Sequence, residues 1–172
     1  MVKIIIFGII AILIFIRFKG ELRAPSRHGF YMFFAFEAIL VLFYFNLRWG
    51  EALAWQRICS GILLIASALI AISGFYALKK YGKPANDWED TTRLIQEGIF
   101  RHIRHPLYTS LMMLSLGILV HHWGIPAVAT CAVAMVFLLA ASMVEERENL
   151  DKFGDDYRKY RKATKRYLLF LL

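Results

Sequence analysis

Two arginines and two histidines, Arg101, His102, Arg104 and His105, stand within one short stretch, and apolar sequence begins at Pro106. A cationic and titratable group of that density either anchors a helix to lipid headgroups or holds an anion. Pro106 suits the first turn of a helix and disfavours helical geometry in the residue before it. A break is therefore expected there, with His105 at the entry to the next helix, where free N–H groups and a positive dipole end favour an anion. A helical turn through the cluster would set Arg101 on one face with Arg104 and His105. The acidic counterpart is Glu145-Glu146, which closes the last long apolar run. Adjacent carboxylates at a membrane boundary either reach water or are satisfied by cations. At one depth, the two clusters together suit a zwitterionic ligand with a carboxylate, an ammonium and hydroxyls, such as a methionine-derived nucleoside.

Other reactive residues carry weaker patterns. Glu37 sits inside an apolar run, where an acid is costly unless it is sheltered or used; one sheltering is a hydrogen bond to Ser60 or Ser67. His121-His122 has no acidic neighbours and makes a poor metal site. Cys59 and Cys131 are too few and too far apart for a disulfide or zinc framework and read as core residues. There is no Gly-rich dinucleotide fingerprint, no P-loop and no G-x-S-x-G elbow.

The rest of the chain must position these groups, and its composition says in what medium. Of the 172 residues, 59% are hydrophobic and 15% aromatic, and the mean hydropathy is +0.51. Soluble domains average about 45–50% apolar. Five runs have the length or composition of membrane spans: 2–18, 29–47, 58–78, 106–120 and 127–144. The fourth is short for a bilayer of about 30 Å, so it either borrows a turn from 99–105, tilts, or stops partway. The net charge of +8 lies between the runs, where it sets topology and meets anionic headgroups; no basic patch interleaved with stacking aromatics points to nucleic acid. Basic residues crowd 17–27, 79–104 and 147–166, and only Lys3, Arg48 and Arg57 fall on the other side. That bias predicts an outside N-terminus and a cytoplasmic C-terminus. Past Val144, Leu150, Phe153, Tyr157 and Tyr160 form an amphipathic stripe, with a stop and fresh start expected at Gly154-Asp155. The expected fold is an all-α integral membrane protein of about five transmembrane helices plus a cytoplasmic amphipathic C-terminal helix. It forms one membrane domain over 1–172, with three spans in 1–78 and a ligand-binding half in 79–172.

Taken in order, Gly98 with an aromatic after it, Arg104-His105-Pro106, Tyr108, Glu145-Glu146, Leu150, Phe153-Gly154, Tyr157, Tyr160 and Thr164-x-Arg166 resemble the isoprenylcysteine carboxyl methyltransferase family, a membrane group that includes relatives of phospholipid methyltransferases. The resemblance covers about Arg93 to Arg166. It implies a membrane-embedded fold that takes S-adenosylmethionine from the cytoplasm and a lipophilic acceptor from the bilayer. Carried over, Gly98, His105, Pro106, Tyr108, Glu145 and Glu146 would bind the donor. Arg104, Glu146 and Arg166 would be the catalytic set, Arg104 supporting the pocket or attracting an anionic acceptor and Arg166 serving the acceptor side. Trp88 would cap the site. The family often continues after Thr-x-Arg into a proline, which "RYLLFLL" lacks. The reaction implied is in-line methyl transfer, most like carboxyl O-methylation, with phospholipid amine methylation as the alternative. A sterol-type NADPH reductase, which shares an Arg-His-Pro-x-Tyr segment, and a non-catalytic lipid-binding protein are the rivals. With no organelle signal, a prokaryotic plasma membrane is the simplest location.

Overall fold

The computed structural model describes residues 2–45, 52–82 and 93–167. Among these are five helices, α1 (Val2–Phe18), α2 (His28–Phe45), α3 (Ala54–Tyr81), α4 (Pro106–His121) and α5 (Ile125–Ala163), with no named strand. α3 starts where the Gln56 side chain accepts the Leu53 N–H at 2.8 Å, replacing a partner the first turn lacks. α4 starts on Pro106, whose missing N–H is no loss at that position.

The helices pack as antiparallel neighbours. α3 meets α4 at two glycines: a Cβ on Gly74 would lie 2.9 Å from Leu107, and one on Gly117 would lie 3.0 Å from Leu64. Between them the Ser67 hydroxyl donates to the Ser110 carbonyl at 2.7 Å. α2 meets α5 through buried Ala35, Ala38, Ala134 and Ala141, with Phe34 stacked on Phe137. At one end of that pair His28 bonds Glu148 through both its backbone N–H and its ring Nδ1. α1 lies along α2 through the pairs Phe7–Tyr44, Phe15–Phe33 and Phe18–Phe36.

Much of the outer surface is apolar. Ile58, Ile62, Ile65, Leu69 and Ile72 of α3 are each more than 60% exposed, and α1 carries a similar face. Patches of that extent are covered by lipid or protein. α3 and α5 are each long and apolar enough to cross a membrane, and the apolar helices α2 and α4 are shorter. At 1.5 Å per residue α4 is about 24 Å long.

One expectation changes and one is met. α4 takes no turn from 99–105: residues Gly98–Arg101 form a separate 3-10 turn and His105 is non-helical ahead of the proline, with φ −121° and ψ 63°. Arg101 and His105 therefore share no helical face; Arg101 is exposed and His105 buried. The expected stop and fresh start at Gly154-Asp155 is found, as a kink that joins two helical segments. α5 continues to Ala163 but breaks at Gly154, with φ 55° and ψ −125°, a conformation open only to glycine. Beyond it Tyr157 and Tyr160 are buried while Arg158, Lys159, Arg161 and Lys162 are exposed. Gly154→Ala meets no neighbour within 4 Å, so its cost is conformational. It should lower the unfolding free energy by about 1–3 kcal/mol, measurable as a lower thermal midpoint in detergent.

Candidate functional site

The turn Gly98–Arg101 opens the site. Gly98 has φ 61°, which opposes a side chain by strain, while a Cβ on it would only touch that of Ala77 at 3.4 Å. The turn is tied to the far end of α5 by the Tyr160 hydroxyl, which donates to the Phe100 carbonyl at 2.7 Å. From there the chain runs beside the segment after α5, in parallel, through a bridge between Ile103 and Lys165. The Lys165 N–H donates to His102 O at 3.1 Å, Arg104 N–H to Lys165 O at 2.8 Å and His105 N–H to Arg166 O at 3.2 Å. This short ladder satisfies the backbone of a buried, irregular stretch and fixes the side chains on either side of it.

Those side chains converge on Glu146, which is 3% exposed. Its Oε1 accepts Arg104 Nε at 3.0 Å and Arg166 Nε at 3.1 Å, and lies 3.4 Å from His105 Nε2. Its Oε2 accepts Arg166 Nη2 at 2.7 Å. Burial alone would raise this carboxyl. The bonds from His105 and Arg166 and the charge of Arg104 outweigh burial and hold it well below the usual carboxylate range. Arg104 also reaches past Glu146 to the carbonyls of Arg161 and Thr164, where a cation suits the C-terminal end of a helix. It thereby ties α5 above the kink to α5 below it.

Glu145 is placed differently. Its side chain is 31% exposed, and its Oε2 lies 3.7 Å from Nδ1 of buried His105. Two tyrosine rings flank that imidazole. Tyr108 stands edge-on at 5.3 Å between centroids and Tyr167 lies tilted at 6.0 Å. The Tyr167 hydroxyl bonds Ser142, one turn deeper in α5 than Glu146. Burial pushes the Tyr157 and Tyr160 phenols well above their ordinary range, which leaves them as neutral hydrogen-bonding groups.

The residues given above as donor-binding or catalytic are all in this region. Arg104, His105, Glu145, Glu146 and Arg166 meet directly, Tyr108 packs on His105, and Pro106 is buried beneath the cluster. Gly98 joins through its turn rather than by contact with the charges. Trp88 lies outside the described residues. Glu37 is elsewhere, in the middle of α2. Tyr167 and Ser142 carry no expectation from the sequence, and Tyr160 stands in the motif series without an assigned role. Ser142, Glu145, Glu146 and Asn149 recur at helical spacing on α5, which is the one sequence signal that could have flagged Ser142.

The sequence model of the phospholipid methyltransferase family matches residues 55–156. Over 71 residues the chain is 30% identical to Methanethiol S-methyltransferase 1 of Bradyrhizobium diazoefficiens (strain JCM 10833 / BCRC 13528 / IAM 13628 / NBRC 14792 / USDA 110), an alignment that covers 38% of this chain and 22% of that protein. The aligned part thus spans about a fifth of the length of that curated relative. No solved structure matches. The family match begins in α3, takes in the Gly98 turn, the Arg-His-Pro segment and α4, and ends just past the Gly154 kink. With more than half of its length matched, and with Arg104, His105, Glu145 and Glu146 all inside that match, the chain belongs to the phospholipid methyltransferase family.

Proposed function

We propose that the protein is an S-adenosylmethionine-dependent membrane methyltransferase acting on a lipophilic acceptor. In this reading it crosses the membrane five times, with the N-terminus outside and the site facing the cytoplasm. The observation that carries it is the closure of Arg104–Tyr108 onto Glu145–Glu146, two segments some forty residues apart in sequence. The groups fit a donor with a cationic sulfur, an ammonium and a carboxylate. Glu145 is the acid of the cluster outside the grip of the arginines and suits the ammonium. The rings of Tyr108 and Tyr167 suit a sulfonium. Gly98 leaves backbone open to close approach.

The donor, when bound, supplies a methyl group already activated on sulfur. What remains for the chain is alignment and exclusion of water. Glu146 and Arg104 do this as positioning residues. Each is engaged by other protein groups, and together they hold His105 and the ladder in place. Arg166, 22% exposed at its side chain, is the cation of the trio open to an anionic acceptor.

That division of roles bears on the acceptor. With Glu146 locked and Glu145 assigned to the donor, the cluster holds no spare carboxylate to act as general base. An acceptor arriving as an anion needs none, whereas an ammonium must lose a proton before it attacks. This favours a carboxylate, as in isoprenylcysteine carboxyl methylation, or a thiolate, as the name of the Bradyrhizobium relative suggests for that protein, over a phospholipid amine.

Calorimetry on detergent-purified protein separates the classes. S-adenosylhomocysteine should bind and NADPH should not. Binding of NADPH alone would make it a reductase, and binding of neither would make it non-catalytic. Transfer of a labelled methyl to a farnesylated cysteine analogue or an apolar thiol, and not to phospholipid extract, is the expected acceptor result.

A further inference from the structure

The fold divides the basic cluster ahead of α4, and the site uses only half of it. Arg104 and His105 turn inward to Glu146, while Arg101 and His102 are exposed. The ladder sets this outward half beside a second basic run. The Lys165 N–H donates to the His102 carbonyl, and Arg104 reaches the Arg161 carbonyl. Arg161, Lys162 and Lys165 are themselves exposed. Two pieces of chain some sixty residues apart thus present one cationic surface.

The kink at Gly154 fixes the depth of that surface. Beyond it the chain comes back along α5: Arg166 bonds Glu146, and the Tyr167 hydroxyl bonds Ser142. The apolar run of α5 closes at Val144, so Ser142 lies inside the run and Glu146 just outside it. Lys165 therefore stands where the run meets water, and the ladder holds His102 and Arg101 close to that level. Acids at this level are engaged. Glu146 is held by Arg104 and Arg166, Glu148 by His28, and Glu97, next to the turn, by Arg93; Glu145 faces His105. The exposed acids of α5, Asp151, Asp155 and Asp156, gather around the kink, which is about 12 Å along α5 from Glu146.

We propose that Arg101, His102, Arg161 and Lys165 form a docking surface for anionic phospholipid headgroups, at the membrane boundary where α5 carries the site. Basic side chains at that boundary meet lipid phosphates directly. A headgroup of net negative charge suits them; a zwitterionic one brings its own ammonium and gains little. The lipid would brace the outer side of the ladder whose inner side carries Arg104 and His105. The surface requires α5 to cross the membrane, and it does not depend on which reaction the site performs.

Calorimetric titration of the full chain in neutral detergent micelles tests this, with dioctanoyl phosphatidylglycerol and dioctanoyl phosphatidylcholine as parallel probes. Wild type should bind the glycerol lipid more tightly, and added salt should weaken that preference, since exposed charges are screened. A basic residue near a lipid surface is worth about fivefold in affinity. The combined variant Arg101→Gln, Arg161→Gln, Lys165→Gln should therefore lose the preference. All three side chains are exposed, so its thermal midpoint without added lipid should match that of wild type. A second variant, Arg158→Gln with Lys159→Gln, removes two exposed charges nearer the kink and should keep the preference. The proposal is overturned if wild type binds both lipids alike, if the triple variant keeps the preference, or if the second variant loses as much as the triple.

Discussion

Glu146→Ala is expected to lower the unfolding free energy by about 3–5 kcal/mol, the cost of breaking a buried ion pair by removing one partner. The alanine leaves Arg104, with an 8% exposed side chain, and buried His105 facing each other without the anion that both contact. It also frees Arg166, which holds the segment after α5 against the site. Glu146→Gln keeps the shape and one acceptor oxygen, and should cost less. Denaturation in mixed detergent micelles, followed by helix signal, measures both. A pH series then identifies the cause. The folded state holds this carboxyl below its ordinary value, which is about 4.3 for an unfolded glutamate. The advantage of wild type over the variant is therefore complete above that pH, and is lost as the pH falls through the depressed folded value. A gap between the two proteins that is constant down to strong acid would assign the loss to packing rather than to charge.

Local chemistry was readable in the sequence, and long-range closure was not. Pro106 announces the start of α4 and the non-helical geometry of His105 because proline constrains its own and its neighbour's backbone. Gly154-Asp155 marks the interruption of α5 for a similar reason. The two charge clusters stood out because such residues are rare beside apolar runs. The sequence could not say which cation each acid takes. Arg166 lies twenty residues beyond Glu146 and returns to it only because the helix bends at a glycine with positive φ. The parallel bridge of Ile103 with Lys165 has no periodicity, being one isolated pair, and Tyr167 enters the site on it. Helical reasoning failed at Arg101 because the positive φ of Gly98 and the demand of Pro106 leave a 3-10 turn between them.

Glu145→Gln is expected to do the reverse of Glu146→Ala: weaken donor binding while leaving the fold alone. Its side chain is 31% exposed and its Oε2 lies 3.7 Å from Nδ1 of His105, too long for a hydrogen bond that carries stability. Surface substitutions of this kind stay within about 0.5 kcal/mol. If the carboxylate receives the ammonium of the donor, losing its charge removes a charge-assisted hydrogen bond worth about 1.5–3 kcal/mol, or about ten- to a hundredfold in the affinity for S-adenosylhomocysteine. His105→Ala should fall in the same range of affinity but with a measurable loss of stability, since the ring is buried between Tyr108 and Tyr167 and touches Glu146. The two readouts therefore separate the contact from its support: a residue that only positions others moves the thermal midpoint and the affinity together, and one that meets the ligand moves the affinity alone. Unchanged affinity in both variants would remove this cluster from the donor site and leave the buried ion network a purely structural device, one that fastens the tail of α5 to the entry of α4.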